Sequence, residues 1–352
     1  MVRCQDEQTL IFYKAQGMNK DDIFKALSYV DDPDLNKDLV SLGMIQNLNI
    51  HDHDVAFDLV LTTPACPMKD SIANACKNAI HTMVDSEANV KINITSNVQR
   101  SRDDQSVLSG IKNIIAVASG KGGVGKSTFA INLSKTLAMS GAKVGLMDAD
   151  IHGPSIPTLM NTTDKKPEMD GDLMVPIENE GVQTMSIGYM VDMKQALVWR
   201  GPMLSKAISQ FCSDVKWGNI DYLIIDLPPG TGDIHLSVVQ HIPISGVVLI
   251  TTPEEVAVAD TRKAIDMFHN PHINQNILGI VENMSFFQPE ENGKKYYLFG
   301  KEGGLKLSEE SSVDFLGKIP IKENKNFDNI HKDYLAITGK IVQKLSILAA
   351  SK

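Results

Sequence analysis

Cysteine is scarce in this chain. There are 4 among 352 residues, and no two of them have the C-x-x-C spacing of a metal or redox motif. So few cysteines in so long a chain do not make a disulfide framework, and this favours a reducing compartment. We therefore expect a cytoplasmic protein.

Positive charge and long apolar runs are lacking too. Lys and Arg number 34 against 43 Asp and Glu, and the formal net charge of −9 argues against a nucleic-acid partner. No uninterrupted apolar run is long enough to span a bilayer, and residues 1–16 lack the apolar core of a signal peptide. The hydrophobic fraction of 43% is ordinary for a globular protein, and the length suggests two domains, or one large domain with an appendage.

The densest pattern of glycine lies in Ile114–Thr128, which reads IIAVASGKGGVGKST. An apolar run leads into a glycine-rich turn and then into a helical pattern, and Gly120–Ser127 fit the G-x-x-x-x-G-K-S phosphate loop. Glycine has no side chain to block close approach, so backbone N–H groups can face phosphate oxygens at the positive end of the helix dipole. The pattern predicts an ATP site formed by Gly120, Lys121, Gly122, Gly123, Val124, Gly125, Lys126, Ser127 and Thr128.

Three side chains of this loop have separate expected roles. Lys126 should reach the β- and γ-phosphates, and the Ser127 hydroxyl should ligate Mg²⁺. Lys121 is either a solvated lysine that adds local positive charge or a catalytic residue. The sequence GKGGVGKS resembles the deviant phosphate loop of MinD-type ATPases, which dimerise around two nucleotides. The resemblance implies a homodimer in which Lys121 reaches the nucleotide of the other subunit, as an arginine finger in trans does.

Carboxylates stand where two apolar runs end. Asp148 and Asp150 follow one run, and Asp226 follows another as a Walker-B aspartate does. We expect Asp226 to hold Mg²⁺ directly or through water. Asp148 and Asp150 suit the orientation of water or of Mg²⁺, with capping of the next helix as the alternative. Resemblance to MinD-type ATPases assigns water positioning to Asp150, a supporting catalytic role to Asp148 and contact with the adenine edge to Asn283.

From Asn113 onward, strand patterns alternate with helical patterns. This alternation predicts an α/β fold with a doubly wound, mostly parallel sheet, the P-loop NTPase domain. A smaller α/β (α+β) unit with its own helix and strand patterns precedes it. The chain is expected to divide into an N-terminal lead (1–18), a small domain (19–98), a polar linker (99–112) and the ATPase domain (113–352).

The small domain contains the best candidate for a reactive thiol. Its second strand pattern ends in TTPACPMKD, where Pro67 suits the first turn of a helix and places Cys66 at or near the N-cap. A helix N-terminus stabilises a thiolate, so Cys66 is either a reactive or metal-binding thiol or a small buried residue in a tight turn. Cys76 falls on an apolar helical stripe and Cys212 at a helix end, so both are expected to pack.

Longer stretches resemble one family. DDPDLNKDLVSLGMI and LTTPACPMKD resemble the small domain of iron–sulfur assembly proteins. WRGPM, DYLIIDLPPGTGD, TTPEEVAVADTRKAIDMF and ENMSFF, together with GKGGVGKS, resemble the Mrp/ApbC family of P-loop iron–sulfur cluster carriers. The resemblance implies a homodimer that binds and slowly hydrolyses ATP, carries a [4Fe–4S] cluster, and serves iron–sulfur apoproteins or an assembly scaffold. It also implies a role in cluster handling for Cys66.

The chain departs from this family at one place. Members commonly carry a C-x-x-C shortly after the ENMS segment, and two such motifs would bridge a [4Fe–4S] cluster across the dimer. Residues 285–297 contain no cysteine, and Glu290 and Glu291 offer hard oxygen atoms that substitute poorly for thiolates. The missing motif favours a MinD-like switch that binds protein partners without a cluster, whereas Cys66 favours a carrier. A reductase that uses ATP to drive electron transfer would need cluster ligands that this chain lacks.

Overall fold

The computed structural model describes residues 18–100, 108–150, 153–190, 201–232, 235, 238–239, 242–289, 293–322 and 327–351. Outside them lie the expected lead apart from its last residue, the middle of the expected linker, and Glu290 with Glu291. Contacts divide the chain after Val98 into two compact units.

The first unit is built on a three-stranded sheet. Its elements are α1 (Lys20–Leu27), β1 (Asp31–Asp32), β2 (Lys37–Asp38), β3 (Ile45–His51), β4 (Asp54–Leu61), α2 (Lys69–Met83) and β5 (Asn89–Ser96). The sheet has the order β3-β4-β5, and β4 pairs antiparallel with β3 and parallel with β5. β1 and β2 form a separate antiparallel pair.

Local sequence accounts for these elements. The Asn19 side chain caps α1, because its Oδ1 accepts a 2.9 Å hydrogen bond from the Asp22 N–H. Along β4, buried and half-buried residues alternate, as expected of a strand with one face on the core. Val55, Phe57 and Leu59 therefore pack in one cluster with apolar residues of both helices.

The segment between β4 and α2 differs from the expectation. α2 begins at Lys69 with Met68 at its N-cap, so the expected helix start at Pro67 is wrong. The Lys69 N–H donates to the Cys66 carbonyl oxygen at 3.4 Å, which is the hydrogen bond of a turn preceding the helix. Cys66 therefore lies ahead of the helix, and only 7% of it is exposed, within the core of the small unit.

The second unit is built on an eight-stranded sheet. The strands of this unit are β6 (Ile111–Ser119), β7 (Val144–Asp148), β8 (Glu168–Asp170), β9 (Leu173–Val175), β10 (Ile177–Asn179), β11 (Val182–Ser186), β12 (Ile220–Pro229), β13 (Gly246–Thr251), β14 (Ile277–Glu282) and β15 (Phe315–Lys318). β8 and β9 form an antiparallel pair apart from the eight-stranded sheet. Its helices are α3 (Lys126–Met139), α4 (Ile156–Leu159), α5 (Gly201–Ser213), α6 (Glu255–His269), α7 (Gly303–Ser311) and α8 (Phe327–Ala350). Of the helices in the described ranges, none has the length and apolar character that a bilayer crossing requires.

The large sheet is doubly wound and mostly parallel. Its strand order is β10-β11-β7-β12-β6-β13-β14-β15, and β10 runs antiparallel to its neighbour while the other pairs are parallel. β6, β12 and β13 are buried along nearly their whole length, as expected of strands covered on both faces. From β6 the chain crosses to β7 on one side of the sheet, and from β12 it crosses to β13 on the other side. The direction of the connections therefore reverses at the neighbouring strands β6 and β12, and ligands bind such sheets at this switch point. The expected fold class is confirmed.

Two strand boundaries differ from the expectation. β6 begins at Ile111, inside the expected linker, because Ile111 pairs with Ile220 of β12. β12 continues past Asp226 to Pro229, with an irregular register between those two residues. Pro229 pairs with Ser119, whose carbonyl oxygen also accepts a 2.8 Å hydrogen bond from the Gly230 N–H. The end of β12 is therefore fixed to the start of the phosphate loop.

Candidate nucleotide-binding site

The phosphate loop joins the end of β6 to the start of α3. Gly123 and Gly125 have φ angles of 81° and 84°, a left-handed backbone that favours glycine. Glycine is required at position 120 for a steric reason, because a Cβ there would lie 2.2 Å from the Asp260 carbonyl carbon in α6. The loop borders an open cavity of about 250 Å³, which Thr128 also lines. This glycine-dependent form is the one that brings backbone N–H groups close to phosphate oxygens.

Lys126 is the buried cation of the site. Its side chain is 6% exposed, and its Nζ donates a 2.5 Å hydrogen bond to Asp226 Oδ1. The same Nζ lies 3.8 Å from Asp150 Oδ2 and 3.5 Å from Ser127 Oγ. The structure thus brings together four side chains that the sequence assigns to phosphate, water and Mg²⁺.

Asp226 and Asp148 lie side by side on adjacent strands. They are paired residues of β12 and β7, and both are fully buried. Burial raises the pKa of Asp226, although the Lys126 ammonium opposes the shift. Burial, followed by the nearby charge of Asp226, raises the pKa of Asp148. Two carboxyl groups and one ammonium therefore share this low-dielectric position.

Asp148 accepts hydrogen bonds on both carboxylate oxygens. Its Oδ2 accepts from Ser186 Oγ at 2.9 Å and from the Ile156 N–H at 3.4 Å. Its Oδ1 accepts from the Asp150 N–H at 3.1 Å. These bonds hold the backbone that carries Asp150, so the geometry suits a supporting role better than direct contact with water.

The residues present fit a magnesium ion. Asp226 Oδ2 is buried and has no hydrogen-bond partner in the part of the chain that the structure describes. A buried carboxylate oxygen left unpaired costs free energy unless a ligand uses it. The nearby Ser127 hydroxyl lowers the pKa of the same carboxyl group and so favours its charged form. Carboxylate and hydroxyl oxygens are the donors that Mg²⁺ prefers.

Asn283 contacts the phosphate loop directly. It follows β14, is 8% exposed, and its Nδ2 donates a 2.8 Å hydrogen bond to the Val124 carbonyl oxygen. A Cβ on Gly125 would lie 2.3 Å from the same Nδ2, so glycine is needed here for the close approach as well as for φ. In this structure Asn283 braces the loop, and its contact with adenine stays a prediction.

Sequence analysis missed the residue that holds Lys121. Glu254, the N-cap residue of α6, forms an ion pair with Lys121, and its Oε2 lies 3.1 Å from the Lys121 Nζ. The two side chains are 37% and 48% exposed, so water competes for both and the pair can exchange partners. A positional signal existed, because Glu254 follows the end of β13 much as Asp150 follows β7.

His235 was missed as well. It is 1% exposed, and neither ring nitrogen makes a well-formed hydrogen bond to the described residues, although the carbonyl groups of Pro228 and Gly232 lie close by. Burial lowers the pKa of His235, which favours the neutral imidazole. The sequence shows only a glycine-rich turn before it, and nothing in that pattern indicates burial.

Cys66 belongs to the first unit. Burial raises the pKa of its thiol, although the N–H of Met68 opposes the shift. Of the two interpretations that the sequence left open, the structure therefore favours a small buried residue in a turn over a thiolate stabilised by a helix N-terminus. Cys76 is fully buried, and burial raises its pKa to about 12, which confirms that it packs. Cys212 packs half-buried against the core of the second unit, as expected. Within the described ranges, no group of three or more His, Cys, Asp or Glu residues is arranged to hold a metal ion.

Comparison with known families and proteins agrees with this architecture. A family model described as NUBPL iron-transfer P-loop NTPase matches residues 110–340, and one described as iron-sulfur cluster assembly protein matches residues 20–94. The iron-sulfur cluster carrier protein of a Synechocystis species is 43% identical over 311 residues, which cover 87% of this chain and 88% of the relative. The protein of the same name from Deinococcus radiodurans is 44% identical over 302 residues, covering 86% and 84% of the two chains.

A solved structure shares the fold of the second unit. The nucleotide-binding protein from Archaeoglobus fulgidus, determined in complex with ADP, is 36% identical and superposes with a TM-score of 0.54. The match covers 66% of this chain and 89% of the other. The resemblance seen in the sequence is confirmed by the family match and by the extent of the two carrier relatives. The chain belongs to the family of NUBPL iron-transfer P-loop NTPases, with an iron–sulfur assembly domain ahead of the NTPase domain.

Proposed function

We propose that this protein is an ATP-hydrolysing carrier of iron–sulfur clusters that acts as a nucleotide-switched homodimer in the cytoplasm. The observation that carries the proposal is the buried Lys126–Asp226 pair beside the phosphate loop, in a chain of the iron-transfer family. Two relatives that match more than four fifths of this chain and of their own length are both named iron-sulfur cluster carrier proteins. We expect low turnover, because the nucleotide serves as a switch.

Hydrolysis would proceed by in-line attack of water on the γ-phosphorus, which breaks the bond to the ADP oxygen. Lys126 would leave Asp226 for the β- and γ-phosphate oxygens and neutralise the charge that develops on the leaving oxygen. Asp150 would orient the water by accepting a hydrogen bond from it. Asp226 and the Ser127 hydroxyl would hold Mg²⁺, which supplies charge neutralisation to the phosphates when bound.

Dimerisation would complete each site. In this structure Lys121 is paired with Glu254 of its own chain. The pair is partly exposed and weak, so phosphate oxygens of a nucleotide on the second subunit would compete for Lys121 effectively. Lys121 would therefore exchange Glu254 for the phosphates of the other subunit's nucleotide, and this exchange would link ATP binding to dimer assembly.

Mixing two inactive variants tests the dimer. Lys121→Ala removes only the lysine supplied to the other subunit, and Lys126→Ala removes only the lysine used by a subunit's own site. Each variant alone is expected to lose hydrolysis. A mixture forms hybrid dimers in which one site has both lysines, so steady-state phosphate release should reappear. If the mixture stays inactive while sedimentation shows that dimers form, Lys121 does not act in trans.

The cluster is cargo rather than a resident cofactor. The chain has no C-x-x-C, so Cys66 is the candidate thiol, with one from each subunit and the remaining ligands from a scaffold, a client apoprotein or, in a loading reaction, an added small-molecule thiol. Iron binding must displace the thiol proton, and the raised pKa of Cys66 makes that displacement harder at neutral pH. A ligand of this kind suits transient holding and release.

Cluster transfer tests the function itself. The protein is loaded anaerobically with iron and sulfide and then presented to an apo-enzyme that requires a [4Fe–4S] cluster. We expect ATP to change the rate at which the acceptor gains activity, and a nonhydrolysable ATP analogue to act differently from ATP. Absence of transfer, with ATP hydrolysis intact, would contradict the carrier function.

One observation favours a second candidate, a MinD-like ATPase switch that binds protein partners without a cluster. The whole sequence lacks the C-x-x-C pair, and its best thiol is largely buried. This candidate predicts the same hydrolysis and the same dimer. It differs in predicting that no iron remains with the protein after anaerobic loading and desalting.

A further inference from the structure

Four consecutive large side chains are exposed after the loop that follows β14. Tyr296, Tyr297, Leu298 and Phe299 are 38%, 43%, 61% and 44% exposed, and we refer to them as the 296–299 patch. Single exposed apolar residues are ordinary, but a contiguous group of this size marks an interaction surface.

Lysines surround the patch. The Nζ of Lys294 lies 5.5 Å from the Tyr296 ring centroid, and that of Lys301 lies 5.4 Å from the Tyr297 ring centroid. These ammonium groups are therefore held close to the aromatic faces. The local positive charge contrasts with the net charge of −9 of the whole chain.

The patch has a defined shape. Phe287 and Tyr296 exchange two backbone hydrogen bonds, each of 2.8 Å, and this antiparallel bridge fixes the first residue of the patch. The Phe286 ring lies 6.3 Å from the Tyr297 ring, and the Nζ of Lys295 lies 4.3 Å from the Phe286 centroid. A preorganised surface of this kind loses little conformational entropy when a partner binds.

A cavity of about 680 Å³ opens beside Phe299, between the first turns of α6 and α7. Its apolar lining includes Val256, Val258 and Leu307, and Lys301 and Lys306 stand on its lining as well. Three carboxylates also line it: Glu254, which pairs with Lys121, Glu310, which pairs with Arg262, and Glu255. The cavity has room for a large apolar side chain, with lysines placed to meet acidic residues on either side of it.

We propose that the 296–299 patch and this cavity bind an acidic segment of a client protein that carries one large apolar side chain. The inference rests on the proposed carrier function, for which it supplies the docking surface. Charge complementarity selects an acidic partner, and the apolar lining selects a peptide over a polynucleotide.

The patch is connected to the nucleotide site by one buried carboxylate. Glu282 ends β14, and its Oε2 accepts a 2.8 Å hydrogen bond from the Gly304 N–H at the start of α7. Its Oε1 accepts a 2.5 Å hydrogen bond from Ser285 Oγ. The next residue, Asn283, is bonded to the phosphate loop. The patch therefore follows, along the chain, the segment that braces the phosphate loop.

Peptide binding to the full chain tests this inference. The probe is a fluorescein-labelled peptide, Glu-Asp-Glu-Leu-Phe-Glu-Asp, followed by fluorescence anisotropy without nucleotide or cluster. Leu298→Ser should weaken binding on the order of tenfold or more, as for an interface anchor. Met169→Ser is the matched control, because Met169 is 60% exposed in the β8–β9 hairpin and should leave binding unchanged.

Charge is tested in the same assay. Lys301→Glu combined with Lys306→Glu should abolish binding, whereas Lys143→Glu, at an exposed lysine before β7, should not. A peptide with Lys in place of each acidic residue should not bind the wild type. All variants change exposed or rim residues, so circular dichroism should show an unchanged fold.

The inference is overturned by any of three results. The first is that the acidic peptide does not bind the wild type. The second is that Leu298→Ser binds the peptide as well as Met169→Ser does. The third is that a single-stranded oligothymidylate displaces the peptide from the wild type. Dissociation of a wild-type dimer by Leu298→Ser, seen in sedimentation, would also overturn it, because a second copy would then cover the patch. The carrier function fails separately, if no cluster is transferred while the peptide still binds.

Discussion

At the scale of single residues, the site depends on charges that are buried together. Lys126 and Asp226 are 6% and 0% exposed, and removing one partner of such a pair leaves an uncompensated charge in a low-dielectric position. The motif spacing predicts both residues, because a phosphate loop and a strand-end aspartate are local patterns. Their direct hydrogen bond across 100 positions in the chain is a product of the parallel pairing of β6 and β12.

Replacement of Lys126 by Met is expected to lower the free energy of unfolding by about 3 kcal/mol, the low end for a broken buried pair. The loss is moderated because the raised pKa of Asp226 lets its carboxyl group take up a proton. The double variant Lys126→Met/Asp226→Asn should lose less than the sum of the single variants. Urea unfolding followed by tryptophan fluorescence measures this, since both tryptophans are in the second unit. Additive losses would show that the two side chains are not coupled.

Cys66 is expected to react slowly with iodoacetamide at neutral pH. Its pKa lies above the ordinary value of 9.0 because of burial, so the thiolate that reacts is rarer in the folded chain than in the unfolded chain. Mass spectrometry of the Cys66 peptide should show faster alkylation in urea, and a native rate that keeps rising with pH beyond 9.0. Cys66 modification that is faster in the native protein at neutral pH would mean that a thiolate is stabilised there.

At the scale of elements, the phosphate loop is held from outside as well as by its own sequence. The Gly-rich motif predicts the loop and the helix after it, and the structure confirms β6 and α3 on either side. Its neighbours are not predictable in the same way. Glu254 reaches Lys121 across 133 positions, and Asn283 reaches Val124 across 159. Such contacts depend on the order of strands in the sheet, which no local pattern encodes.

Two glycines of this loop provide a matched pair of variants. Gly120→Ala places a Cβ 2.2 Å from a backbone carbon of α6, so the loop or the helix must move, at a cost of about 1–3 kcal/mol. Gly122→Ala places its Cβ no closer than 3.8 Å to the Pro229 ring, and should change stability by less than about 0.5 kcal/mol. Differential scanning calorimetry of the two variants checks the difference. Equal melting temperatures would show that the close packing of Gly120 on α6 is not needed.

At the scale of the whole molecule, sequence analysis predicted the fold class and the family, because the motifs and the alternation of elements span most of the chain. The start of α2 was placed too early, since Pro67 is as acceptable in a turn as in a first helical turn. The sequence left open whether Cys66 is a thiolate stabilised by a helix N-terminus or a small buried residue, and its place in a core ahead of the helix favours the second. A family match gives the class of cargo, and the thiol that holds it must be found by experiment.

We propose that this protein carries an iron–sulfur cluster through Cys66. The most direct measurement is anaerobic reconstitution of the wild type, Cys66→Ala and Cys212→Ala, followed by desalting and a count of iron and sulfide per dimer. Cys212 packs on the second unit and is the matched control. We expect iron and sulfide in equal amounts on the wild type and on Cys212→Ala, and their loss from Cys66→Ala. No specific iron on the wild type, or an unchanged count in Cys66→Ala, would contradict it.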